Sequence, residues 1–190
     1  MNTPAHLALN LVILGRRERP EDTLPIAVGS LLPDLPMVIF YGYEKLLRRL
    51  PESLIWSQAY HDPAWQALFD SMHSLPLLLV AVALCWSIQA RRPLLLFAAM
   101  ILHALEDMPF HHGDAHRHLF PLSSWQFQSP LSYWDPHHYG HFIAPLEVLL
   151  FALCTMILAK RATSGGARLL LALLVAVYGL YWVYVIRVWA

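Results

Sequence analysis

The sequence predicts an all-α integral membrane bundle in a single domain, residues 1–190, with about five transmembrane helices, a short N-terminal half-helix and a histidine-rich outer loop. Three observations predict it. Hydrophobic residues make up 57% of the chain and charged residues only 14%, with a mean hydropathy of +0.46, a balance foreign to an ordinary soluble enzyme. The apolar residues gather in stretches close to the ~20 that a helix needs to cross a hydrocarbon core of about 30 Å. Finally, there are 11 histidines, where average usage gives about four. The 13 Lys and Arg are matched by 13 Asp and Glu, so no positive field exists to hold nucleic acid.

Taken in order, residues 4–14 are apolar over half a span and lack the basic start and small-residue cleavage site of a signal peptide, which reads as a retained half-helix. Residues 24–43 form the first span, interrupted where Pro33 and Pro36 deny the helix its hydrogen bonds. Residues 44–72 are more polar, with Leu50, Ile55, Trp65, Leu68 and Phe69 spaced as in an amphipathic helix lying at the outer interface. Residues 74–90 and 93–110 are two further spans, made antiparallel neighbours by the short turn at Arg91 and Arg92. From 108 to 142, Pro109, Pro121, Pro130 and Pro136 forbid one continuous helix, and this outer loop holds most of the histidines. Residues 143–159 and 169–186 complete the bundle around a turn at Ser164, Gly165 and Gly166. Cys85 and Cys154 lie in apolar runs and imply neither a disulfide nor a thiolate metal site.

The basic residues set the orientation. Arg16, Arg17, Arg19, Arg91, Arg92, Lys160, Arg161 and Arg168 share one side, and Lys45, Arg48, Arg49, Arg117 and Arg187 fall opposite. The richer side is expected to be cytoplasmic.

Ionisable side chains inside apolar spans carry the functional signal, because an Asp at mid-membrane costs about 2.5 to 3.5 kcal/mol and needs a partner. Counted from the basic borders, His6, Asp34 and His103 share one depth, and His73, Asp107, Glu147 and His141 lie nearer the outer face. His103 and Asp107 are four apart, hence on one helical face about a turn from each other. The Arg91–Arg92 turn brings His73 to their level, and Asp34 stands at an irregular point tolerable only against a polar cavity. Imidazole and carboxylate ligands without thiolate suit a divalent cation: zinc first, manganese or iron as alternatives. His61, beside Asp62 and Pro63, reads as an ordinary structural histidine. In the loop, the tracts from His111 to His118 and from Asp135 to His141 offer His111, His112 and His141 as further ligands. Asp34 or Asp107 is expected to orient a metal-bound hydroxide, and His112 or His116 to protonate a leaving group.

The succession Thr3-Pro4-Ala5-His6, Gly29 to Asp34, Met72-His73-Ser74 and His103 to Asp107 resembles the YdjM-like family of inner-membrane metal-dependent hydrolases over roughly residues 3–110. That resemblance implies a bacterial inner-membrane location, and the distribution of basic residues puts the histidine-rich loop outside. More remotely, the order is similar to bacterial zinc-dependent phospholipase C, a helical enzyme whose clustered zinc ions hydrolyse phosphodiesters. Carried over by position, it implies His6, Asp34, His73, His103 and Asp107 as ligands, Asp107 bridging two ions, and a later loop histidine joining them. Downstream the pattern departs: His141 and Glu147 are six apart rather than four, which speaks against a third ion. The expected function is hydrolysis of an ester or phosphoester bond in a lipid by one to three divalent ions, with the bilayer and a lipid substrate as partners. The alternatives are a di-iron membrane oxidase or desaturase, which the histidine pairs fit less well, and a metal-uptake or metal-binding membrane protein. No oligomeric state follows from the sequence.

Overall fold

The structure is a computed structural model and describes residues 1–189. Among these there are nine α-helices and no strand. Helix α1 (Thr3–Leu14) opens on Pro4, whose missing N–H would have had no partner in a first turn. Helices α2 (Thr23–Leu31) and α3 (Leu35–Gly42) follow, with a break at residues 32–34 where Pro33 and Pro36 interrupt the ladder, and the two halves of this segment are bent by 50°. After a π turn at Tyr43–Leu47 come the short α4 (Glu52–Ser57), then α5 (Pro63–Met72) and α6 (Leu75–Ser87). Helix α7 (Arg91–Asp107) leads into an irregular stretch, and α8 (Gly140–Arg161) and α9 (Gly165–Trp189) close the chain.

Three expectations change. The span expected over 74–90 is a helix of only 13 residues, because Ser74 caps it by accepting the N–H of Leu77 and Pro76 lies in its first turn. It is too short alone. Helix α5, expected to lie flat at the interface, instead continues into α6 across a 41° bend at His73. The outer loop also ends earlier, since α8 starts at Gly140, where a Cβ would run into the backbone of Trp134 and Asp135. Three helical stretches, Arg91–Phe110, Gly140–Arg161 and Gly165–Arg187, are long and apolar enough to cross a membrane, and counting each bent pair as one span gives five.

Packing at the centre of the bundle depends on small and polar residues. A Cβ at Gly29 would overlap the carbonyl oxygen of Leu96, so glycine lets α2 lie directly on α7. Asn10 on α1 donates to Ser30 on α2 (2.9 Å) and to the carbonyl of Ala99 on α7 (3.1 Å), joining three helices at one buried point. At one end of the bundle, Arg161 donates to the carbonyls of Val12 and Gly15 at the end of α1, and Arg91 pairs with the buried Asp22. Arg161 thereby satisfies carbonyls that the end of α1 leaves open.

Candidate metal centre

Polar residues of α1, of the α2–α3 and α5–α6 breaks and of α7 meet in the other half of the bundle, around Asp107. Asp34, His73, His103 and Asp107 each offer one ligand atom, and these four atoms lie within 4.8 Å of one another. His103 Nε2 is 3.1 Å from Asp107 Oδ2 and 3.4 Å from Asp34 Oδ1, and His73 Nε2 is 3.6 Å from Asp107 Oδ2. Two ligands bound at about 2.1 Å around a tetrahedral ion stand about 3.4 Å apart. The spacings bracket that value.

Hydrogen bonding gives these contacts their meaning. His103 Nδ1 lies 2.8 Å from the carbonyl oxygen of Ser30, and His73 Nδ1 lies 2.9 Å from that of Phe69. A carbonyl only accepts, so Nδ1 carries the proton in both rings, and in the neutral imidazole Nε2 is left as a bare lone pair. Both Nε2 atoms are buried and have no hydrogen-bond partner. These nitrogens face carboxylate oxygens in a setting of low dielectric, where a proton or a divalent cation between nitrogen and oxygen relieves the repulsion of their lone pairs. Anchoring of Nδ1 to an acceptor is also how metal-bound histidines are oriented. The four residues present fit a divalent cation.

No protein-family model, curated protein or solved structure matches this chain. The reading of the centre rests on its own geometry.

Around the other oxygen of Asp107 the pattern repeats. His6 Nε2 is 2.9 Å and His111 Nε2 3.1 Å from Oδ1, and the amino group of Met1 lies against the same atom. His6 Nδ1 is held by Glu106 at 2.7 Å, and His111 Nδ1 is 3.0 Å from Asp114, which accepts from the Trp134 indole. Burial opposes protonation of His111, but the Asp107 carboxylate outweighs it and raises the pKa to about 9, so a cation binding there must displace a proton. His116 is stacked on His73 with ring centroids 3.8 Å apart, and burial pushes its pKa well below the ordinary 6.5.

Of the residues predicted from sequence, His6, Asp34, His73, His103, Asp107 and His111 are gathered here, and His116 packs against the gathering. His112 is turned away: its Nδ1 lies 2.7 Å from the carbonyl of Ser129 and its ring stacks on His138, which pairs with Asp135. His141 is exposed in the first turn of α8 beside Phe142. Neither reaches Asp107, so their expected ligand roles, and the acid role given to His112, find no support in the geometry. Glu147, which looked like a displaced ligand, instead accepts from Asn2 and from the hydroxyl of Tyr178 (2.8 Å), tying α1 to α8 and α9. Sequence reasoning missed Glu106 and Asp114 as orienting groups. Glu106 sits inside the His103 to Asp107 motif, but nothing local says that it points at α1.

Proposed function

We propose that the chain is an integral protein of a bacterial inner membrane, with its arginine-rich end in the cytoplasm. In this reading its centre holds divalent cation, zinc before manganese or iron, and hydrolyses an ester or phosphoester bond of a lipid. The observation that carries the reading is the pair of buried Nε2 atoms of His73 and His103, without a hydrogen-bond partner, facing the carboxylates of Asp34 and Asp107.

A second cation is favoured by the stacking of His6 on His103, whose centroids are 3.7 Å apart with planes 17° from parallel. Parallel rings direct their lone pairs to two positions rather than one, and these meet the two oxygens of Asp107 at 2.9 and 3.1 Å. His6 and His111 beside one oxygen of Asp107, with His103 and His73 beside the other, would hold two such ions, which would share the charge developing on the scissile group.

Bound there, a divalent cation would polarise the carbonyl or phosphoryl oxygen and lower the pKa of a water toward about 7. The residues supply the remainder. Asp107 grips both poles. Asp34, held by the hydroxyl of Thr3 at 2.5 Å, is the one carboxylate of the group with an exposed edge and is suited to orient the attacking water and take its proton. His111, 3.1 Å from Asp107 and holding a proton because of that carboxylate until a second ion displaces it, is the loop histidine placed to pass one to the departing alkoxide as the ester bond breaks, a step the neutral ring of His116 does not supply.

Reconstitution in phospholipid vesicles tests this. Chelation should stop lipid hydrolysis, zinc or manganese should restore it, and His73→Ala or His103→Ala should not respond to either ion. Hydrolysis that survives chelation, or its absence from the metal-loaded protein, overturns the reading. Two irons per chain with oxygen uptake would select the oxidase instead, and metal flux without lipid turnover would select uptake.

A further inference from the structure

We infer that the centre opens sideways, at the break between α2 and α3, and that its substrate is a bilayer lipid whose acyl chains lie along Leu31 and Leu35 while its polar junction reaches Asp34. The chemistry in this statement rests on the hydrolase reading; the opening does not.

Exposure decides the direction. The side chains of His103, His73 and Asp107 are 0%, 2% and 3% exposed, whereas that of Asp34 is 24% exposed. From the outer side the centre is covered, since His111, Ala115, His116, His118, Ser129 and Ser132 of the loop are all buried. Arg117 fastens this cover to α5 by donating from its backbone N–H and its guanidinium to the buried Asp70. Two cavities of about 430 and 380 Å³ do open in the outer segment, on either side of His61, but neither is lined by any of the four ligand residues. A water-borne substrate entering from outside would meet the cover.

The surface around Asp34 is of another kind. Leu24, Val28 and Leu31 are exposed at spacings of four and three along α2, and Leu35, Val38 and Ile39 are exposed on the first turns of α3. Leu31 and Leu35, at 40% and 46%, flank the carboxylate directly. Helical segments of 12 and 13 residues run from the break to either end, Pro20–Leu31 and Leu35–Leu47, so the gap lies near the middle of the bent span. An exposed carboxylate there is unfavourable against hydrocarbon alone. Irregular backbone at such depth is tolerated where it lines a cavity or is covered by something polar. A lipid satisfies both halves of the surface at once: apolar chains for the leucines, and an ester or phosphoester for the polar gap and any cation behind it.

The test uses the full chain in phosphatidylethanolamine–phosphatidylglycerol vesicles doped with a phospholipid carrying a nitroxide next to the acyl ester. The protein is loaded with Mn²⁺ and its metal content is assayed first. The nitroxide should relax faster in the presence of loaded protein. Leu31→Trp and Leu35→Trp should each reduce that enhancement several-fold with metal content unchanged, and Leu170→Trp on the far helix should not. The same two variants should slow hydrolysis of the bilayer lipid more than that of a short-chain, water-soluble ester. No enhancement with the parent protein, or an enhancement indifferent to both variants, overturns the inference. Enhancement without any hydrolysis would leave the opening in place and remove the hydrolase reading alone.

Discussion

His103 is defined by its two nitrogens: Nδ1 donates to the Ser30 carbonyl, and Nε2 is the one turned to the carboxylates of Asp34 and Asp107. The same logic extends to His6, whose Nδ1 faces Glu106 across 2.7 Å. Glu106→Gln keeps the shape and removes the charge, so metal affinity should fall about 10- to 100-fold, read by titration against a chelator. His116 and His118 behave in the opposite sense, as buried neutral rings whose pKa values burial holds below 6.5. In the unfolded loop both accept a proton as the pH falls through 6.5, and in the folded loop they do not. These two rings therefore stabilise the loop above that value and weaken it below, against the single opposing contribution of His111, whose raised pKa acts the other way. Hydrogen-exchange protection over residues 111–118 should drop between about pH 7.5 and 5.5; protection constant over that range would contradict the assignment. At this scale the sequence was legible where spacing alone sets geometry: His103 and Asp107 are four apart on one helix. It was silent on His112 and His141, because an irregular backbone gives no rule for which way a loop histidine turns.

Helices α2 and α7 touch because Gly29 has no side chain, and their contact brings the Ser30 carbonyl to His103. Gly29→Ala should separate them, costing about 1 to 3 kcal/mol by overpacking and, through the displaced carbonyl, weakening metal retention as well. Thermal unfolding in detergent and metal content, measured on the same samples, check both halves of that expectation. The break in the first span was readable from Pro33 and Pro36, since the missing N–H groups are a local fact. The bend between α5 and α6 was not. The half-polar pattern of α5 suits an interfacial helix as well as the outer part of a bent span, and only packing against α3, through Phe40 and Phe69, decides between them.

For the whole molecule, the arginines after α1 and those of α7 and α8 mark one end, while the histidines and carboxylates occupy the other half beneath a folded loop. The proposed orientation makes the loop external and the turn before α9 internal. Cys85 and Cys154 are buried, so single cysteines introduced at exposed positions report cleanly. A membrane-impermeant maleimide should label Leu122→Cys in intact cells and leave Gly165→Cys unlabelled; the reverse pattern would invert the topology. The all-helical fold with its three to five stretches able to cross a membrane was legible from composition and segment length, and the gathering of distant residues at Asp107 from their shared depth. The covering loop was not, because its fold depends on contacts such as Asp70 with Arg117 that join stretches 47 residues apart. The most direct test of the account is elemental analysis of the purified, folded protein beside Asp107→Asn. The account predicts stoichiometric divalent metal in the parent chain and its loss from the variant; a folded parent without metal, or equal metal in both, would contradict it.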